Sequence, residues 1–202
     1  MSLNLNYSCR SSGRLEITKL LIERGADINA KRNRGGTALM TASGYGQLEI
    51  TKLLIERGAD INAKDNNDQT ACMLAAWRGR IETVKLLIDK GADINIPSGK
   101  AILITESDIP TIAGGVYLDG AVYLKEIDGR QIESVSGRSL MTTLSPGLHN
   151  IKVRYYSSGA VTRTYGELIS LSINVKSGHI YAVKHKIKIE GKKWTAWIEK
   201  IK

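Results

Sequence analysis

Apolar residues along this chain follow two rhythms, and the change falls near its middle. In the first half they recur at helical spacing. Within Glu16–Arg24, Ile17, Leu20 and Leu21 stand at i, i+3 and i+4 and share one helix face. Gly25 then supplies the left-handed residue that ends such a helix. Shorter helices are predicted over Thr37–Tyr45 and Thr70–Arg78, each opened by a threonine whose hydroxyl can cap free amides. From Ala101 the period becomes two. Ile151, Val153 and Tyr155 alternate with Lys152, Arg154 and Tyr156; Ile169, Leu171, Ile173 and Val175 alternate with Ser170, Ser172 and Asn174. Tyr181, Val183, His185, Ile187 and Ile189 alternate with Ala182, Lys184, Lys186 and Lys188. Each reads as a half-buried strand. Turn signals stand at Asp119-Gly120, Asp128-Gly129, Ser145-Pro146-Gly147, Ser157-Ser158-Gly159, Lys176-Ser177-Gly178 and Glu190-Gly191. This punctuation predicts an antiparallel β-sandwich of about seven strands.

The helical half also repeats itself. Leu15–Lys31, LEITKLLIERGADINAK, returns letter for letter at Leu48–Lys64, 33 residues further on, and a looser copy follows at Ile81–Asn95. A fixed period in this range means stacked repeats, each burying an apolar face on its neighbour and leaving a long open surface. No fourth copy follows, because Pro97-Ser98-Gly99-Lys100 breaks the pattern. The expected organisation is therefore a multidomain α+β chain: a helical solenoid of three repeats over 1–97 and an antiparallel β-sandwich over 98–202. Val84 and Leu87 of the last repeat need cover on their far side, and the second domain is the natural cap.

The repeat motif resembles that of ankyrin repeats: a threonine-capped inner helix, an outer helix ending in Gly-Ala-Asp, then Ile-Asn-Ala and a hairpin loop. The resemblance covers roughly Asn4–Ile96 and implies L-shaped units with projecting turns. Three departures stand out. The inner helices open Thr37-Ala38-Leu39-Met40 and Thr70-Ala71-Cys72-Met73, with methionine where the family has a histidine that bonds the threonine. The loop glycine is Gly35 in one unit but Asp68 in the next, so the geometry of that second turn is open. Asn4–Arg14 stands in place of the first inner helix and reads as a degenerate or truncated cap.

The resemblance implies docking on turn tips and on the groove side of the inner helices, and hence a protein or peptide partner. Carried onto this sequence, the partner-binding positions are Asn33, Arg34, Tyr45, Asn66, Asn67, Gln69, Trp77 and Arg78, with Lys31, Lys64, Gly36 and Gly44 beside them. Tyrosine, tryptophan and arginine are the types that dominate interface energetics. Trp77 has a second reading, as packing against the domain that follows.

In the second half, Leu144–Val153, LSPGLHNIKV, resembles the strand start of PEGA-type and transthyretin-like domains, and Lys176–Tyr181 resembles the strand that follows in small bacterial envelope modules. This implies an accessory, non-catalytic sandwich of bacterial origin, often outside the cytosol. The formal charge is +9 over 202 residues. Splitting at Pro97 leaves +3 on the repeats and +6 on the rest, concentrated in Lys184–Lys202. An alternative site follows: Lys184, Lys186 and Lys188 with Trp194 and Trp197 could bind a glycan, an anionic lipid or a nucleic acid while the repeats act as spacer. The plainer reading has solvated lysines and tryptophans that close the sandwich, and it disfavours nucleic acid.

No catalytic group, cofactor or metal is expected. His149, His179 and His185 lack metal-ligand spacing, Gly44-Tyr45-Gly46 and Gly114-Gly115 are not phosphate loops, and Cys9 has no local histidine partner. Two cysteines make no disulfide framework, and Cys72 falls where a repeat buries a small residue. No apolar run reaches membrane length and no signal segment opens the chain, so a soluble protein is expected, with cytoplasm and bacterial envelope both open.

Overall fold

A computed structural model gives the structure over residues 5, 14–94, 96, 98–105, 111–113, 116–131, 141–158, 163–165, 168–188 and 193–202, with 111–113, 116–123, 155–158, 163–165, 186–188 and 193 described as backbone. The chain forms two units, Met1–Ile94 and Asn95–Lys202.

In the first unit the helices are α1 (Leu15–Glu23), α2 (Ala38–Gly44), α3 (Leu48–Glu56), α4 (Ala71–Trp77) and α5 (Ile81–Asp89). Thr37 and Thr70 start the inner helices α2 and α4, as the pattern predicts. Thr37 Oγ1 accepts from the Met40 amide and Thr70 Oγ1 from the Met73 amide, both at 3.3 Å. At Thr37 the methionine is a working substitute for histidine: Met40 Sδ accepts the Thr37 amide at 3.4 Å. The thioether is a weak acceptor, but it satisfies an amide that helix geometry would otherwise leave open.

Inner helices α2 and α4 pack side by side, and the outer helices follow in the order α1, α3, α5. The core between the layers combines small inner residues (Ala38, Ala42, Ala71, Cys72, Ala75, Ala76) with Leu39, Leu54, Val84 and Leu87, all essentially without solvent contact. Each fully buried leucine contributes about 2 kcal/mol of transfer free energy. Cys72 is buried in this core and takes part in no disulfide.

Asparagines tie the repeats together at the rim. Asn29 Oδ1 accepts the Asp60 amide at 2.9 Å while its Nδ2 donates to the Gly58 carbonyl. Asn62 does the same to Asp93 and Gly91 one repeat later. The substitution of Asp68 for glycine leaves the turn intact: Asp68 sits at φ 59° where Gly35 sits at φ 75°. Aspartate tolerates this left-handed region better than most residues. Apart from Leu5, which is helical and buried, and Arg14, the segment read as a degenerate cap lies outside the described residues, as does Cys9.

The second unit is built from β1 (Ala101–Thr105), β2 (Thr111–Ala113), β3 (Val116–Ile127), β4 (Arg130–Gln131), β5 (Met141–Leu144), β6 (Gly147–Ser158), β7 (Arg163–Tyr165), β8 (Ile169–Val175), β9 (Ile180–Lys188) and β10 (Lys193–Lys200). One sheet runs β10-β9-β1-β5. The other runs β2-β3-β6-β7, with β4 on β3 and β8 on β6. Residues from both sheets share a core that includes Leu103, Leu144, Ile151, Val153, Val175, Tyr181 and Trp194, so the pair is a sandwich. Helices followed by this β unit make the chain α+β.

Three details depart from the expected pattern. The sandwich has more strands than the seven expected, and β1 pairs with β9 in parallel, not antiparallel. These two central strands are buried on both faces at Ala101–Thr105 and Ile180–Val183, which is why Ala182 fails to alternate. Parallel neighbours buried on both sides read as continuous apolar runs. Asp119-Gly120 makes no turn either: it lies inside β3, paired with Ser158 and Ser157 of β6. The strand runs on through the dipeptide, with Val116–Leu118 paired to β2 and Ala121–Ile127 to β6, so it has no hairpin to close. Ser157 and Ser158 are likewise strand, whereas Gly159 and Glu190-Gly191 lie outside the described residues.

Candidate partner-binding groove

A solenoid sets equivalent positions side by side, one repeat apart. Between α2 and α4 this produces a pocket of about 310 Å³, lined by Arg32, Gly36, Met40, Thr41, Gly44 and Tyr45 of one repeat and Asp65, Leu74 and Arg78 of the next. Tyr45 and Arg78 occupy the same position in the two repeats, each as the residue that ends its inner helix. The Arg78 guanidinium carbon lies 4.7 Å from the Tyr45 ring centroid, a cation–π contact. Gly44 lies against the same side chain: a Cβ there would stand 3.5 Å from Arg78 Nη1, an ordinary van der Waals contact.

The two outer-helix segments are identical, yet the residues that line this pocket are not. Arg32 faces Asp65 in the repeat alignment, Thr41 faces Leu74, and Tyr45 faces Arg78. Like residues at these positions would place like charges or like polar groups next to each other; unlike pairs create a site with charged, aromatic and apolar surface together. Asp65 is oriented by its own turn, where its Oδ1 accepts the amides of Asn67 and Gln69 at 2.8 and 2.9 Å.

Of the positions named from sequence, Tyr45 and Arg78 line the pocket, with Gly36 and Gly44. Asn33, Arg34, Asn66 and Asn67 are exposed on the turn tips, and Gln69 is half-buried. The tips are linked: the Asn66 amide donates to the Arg34 carbonyl at 3.1 Å, and Lys31 Nζ to the Lys64 carbonyl at 3.1 Å. Trp77 ends α4, 42% exposed, next to the pocket residue Arg78. Arg32, Met40, Thr41, Asp65 and Leu74 were not anticipated. The repeat period is the signal that could have found them, because it says which residues abut.

The alternative site is divided by strand geometry. Trp194 is buried in the sandwich core, so it is not a stacking platform, whereas Trp197 is 43% exposed. An odd spacing along a strand puts the two indoles on opposite faces. Trp197 is directly across from Lys184 on β9, and Lys184 Nζ lies 3.8 Å from Glu199. The side chains of Lys186 and Lys188 lie outside the described residues.

One polar cluster in the β unit was read from sequence only as a strand start. His149 Nδ1 is 2.6 Å from Asp128 Oδ2, and His149 Nε2 is 2.8 Å from the Ser145 carbonyl. Burial opposes charge on this ring, but the Ser145 carbonyl and the Asp128 carboxylate outweigh it, and the pKa is raised. Asp128 is lowered, chiefly by the amide of Asn150, which donates to its Oδ1 at 2.8 Å, and then by His149. The arrangement ties the turn Asp128-Gly129, with φ of 49° and 80°, to the turn at Ser145. Both ring nitrogens are thereby engaged, one by a carboxylate and one by a carbonyl.

Residues 5–98 match the family model for ankyrin repeats in three copies. That segment therefore consists of ankyrin repeats, which are in general a protein–protein interaction module. The match ends before the first β strand, which begins at Ala101. No curated protein matches the chain. No helix among the described residues is long and apolar enough to cross a membrane.

Proposed function

We propose that the repeat unit binds a protein or peptide through the groove at Tyr45 and Arg78, with the turn tips Asn33, Arg34, Asn66, Asn67 and Gln69 and the neighbouring Trp77 extending the contact. The observation that carries this reading is the pocket between α2 and α4 with Arg78 held over Tyr45. Rigid helices and linked turns present these anchors already ordered, so association need not first restrict them. A non-catalytic binding role follows from the same features. The likeness of the β unit to PEGA-type modules supports an accessory role, and the break at Pro97 without a fourth repeat supports its acting as cap of the stack.

A second reading, in which the β unit binds a glycan or polyanion, is favoured by one observation: exposed Trp197 stands across from Lys184. Affinity capture from a lysate of the source cell separates the two, using the intact chain beside a Tyr45/Trp77/Arg78 triple alanine variant. A partner lost only with the variant supports the groove. Capture unaffected by the variant but abolished at moderate salt moves the function to the basic β unit, because polyanion contacts weaken steeply with ionic strength.

A further inference from the structure

We propose that the pocket between α2 and α4 receives a carboxylate side chain, Asp or Glu, of an extended peptide; this rests on the groove reading and specifies its partner. Arg78 is the centre of the argument. Its guanidinium face is occupied by the Tyr45 ring, which fixes its orientation. Stacking leaves the in-plane N–H groups available, and among the described residues they meet no carboxylate or carbonyl acceptor. A planar fork of donors held over an aromatic ring matches a carboxylate in two-bond geometry.

The surroundings favour the same ligand. Arg32 lines the pocket as a second guanidinium, and Lys31 and Arg34 stand exposed on the same turn. Asp65 is the single acidic side chain in the lining, and two backbone amides already donate to its Oδ1, which blunts its repulsion. Met40 and Leu74 supply apolar wall for the methylene groups that carry the carboxylate. The cavity, about 310 Å³, suits one side chain with adjoining backbone, not a whole folded surface.

The test is selection of a random peptide display library on the intact chain, with counter-selection on a Tyr45→Ala/Trp77→Ala variant. Enriched peptides, labelled with fluorescein, are titrated by anisotropy against the wild type, Arg78→Gln and Arg78→Lys. Arg78 is exposed at a helix end, so these variants are expected to fold, which circular dichroism checks. The expected peptides share an Asp or Glu whose exchange for Asn or Gln weakens wild-type binding about tenfold but Arg78→Gln binding less than about twofold. Arg78→Lys, which keeps the charge and loses the fork, should fall between. Groove-dependent peptides that tolerate the amide exchange, or that carry basic residues instead, overturn the carboxylate pocket and leave the groove reading standing. Failure of any peptide to enrich over the counter-selected variant overturns both.

Discussion

The segments Leu15–Lys31 and Leu48–Lys64 are one sequence in two places, and only their neighbours differ. Their backbones agree. Both form nine-residue helices, both end in a glycine, at φ 81° and 88°, and both fold the next aspartate back onto the amide of the following asparagine at 2.9 and 3.0 Å. Their burial does not agree. Ile17 is 52% exposed in α1 and its twin Ile50 is 2% exposed in α3; Leu20 is 50% exposed and Leu53 is 8%. α3 lies between α1 and α5, whereas α1 is the first outer helix. Identical side chains thus hold the stack together at one site and face solvent at the other, as expected when repeat stability is a sum of intrinsic and interface terms.

The comparison can be broken most directly by paired alanines. Ile50→Ala should cost about 3 kcal/mol in urea unfolding of the intact chain, and Ile17→Ala less than about 1 kcal/mol. Equal losses would show that the environment of α1 matches that of α3 after all. The loop pair comes next. Gly35→Ala should cost about 2 kcal/mol, combining a left-handed backbone with a Cβ placed 2.5 Å from Asn66 Oδ1 and 2.9 Å from the Asn66 nitrogen. Asp68→Gly, at the equivalent position, should instead be neutral or stabilising.

A smaller effect separates the threonines. Thr18 Oγ1 donates to the Arg14 carbonyl at 2.9 Å, while Thr51 Oγ1, equally buried, has no hydrogen-bond partner among the described residues. The third copy has Val84 there. Thr51→Val should therefore gain about 1 kcal/mol, and Thr18→Val should gain nothing; a larger gain at Thr18 would contradict the hydrogen-bond assignment.

The smallest effect contrasts the β unit with the repeats. The raised His149 pKa contributes stability that is complete below the unfolded value near 6.5 and is lost as pH rises through the folded value above it. Asp128, lowered from 3.8, contributes above that pH and loses it as pH falls through its folded value. The groups facing the ring are Asp128 and the Ser145 carbonyl; Arg130 acts on Asp128, and Lys100 Nζ donates to Ser145 Oγ at 3.0 Å. The β unit should lose stability modestly on passing to alkaline pH, and His149→Gln should remove that dependence. An unchanged pH profile in the variant would mean that another group titrates.

The candidate site was legible in part. Tyr45, Trp77 and Arg78 could be named because the repeat motif assigns them to the groove. The stacking of Arg78 on Tyr45 could not, nor could the pairing of Arg32 and Thr41 with Asp65 and Leu74 as lining. Those depend on which equivalent positions meet, and a linear pattern shows each residue beside its chain neighbours only. Trp194 and Trp197, read together from sequence as one platform or one closing pair, are a further case: Trp194 enters the core while Trp197 stays 43% exposed.

By itself the sequence determined the helix limits at Thr37 and Thr70, the stops at Gly25 and Gly58, the period of the stack and the change to alternating strands. These rest on interactions within a turn or two of the chain, so identical letters produced identical backbones. Tertiary structure alone decided which of the twin isoleucines is buried, that β1 pairs in parallel with β9, that Asp119-Gly120 runs straight, and that His149 meets Asp128. Each of those turns on groups brought together from distant parts of the chain, where packing and desolvation outweigh local preference.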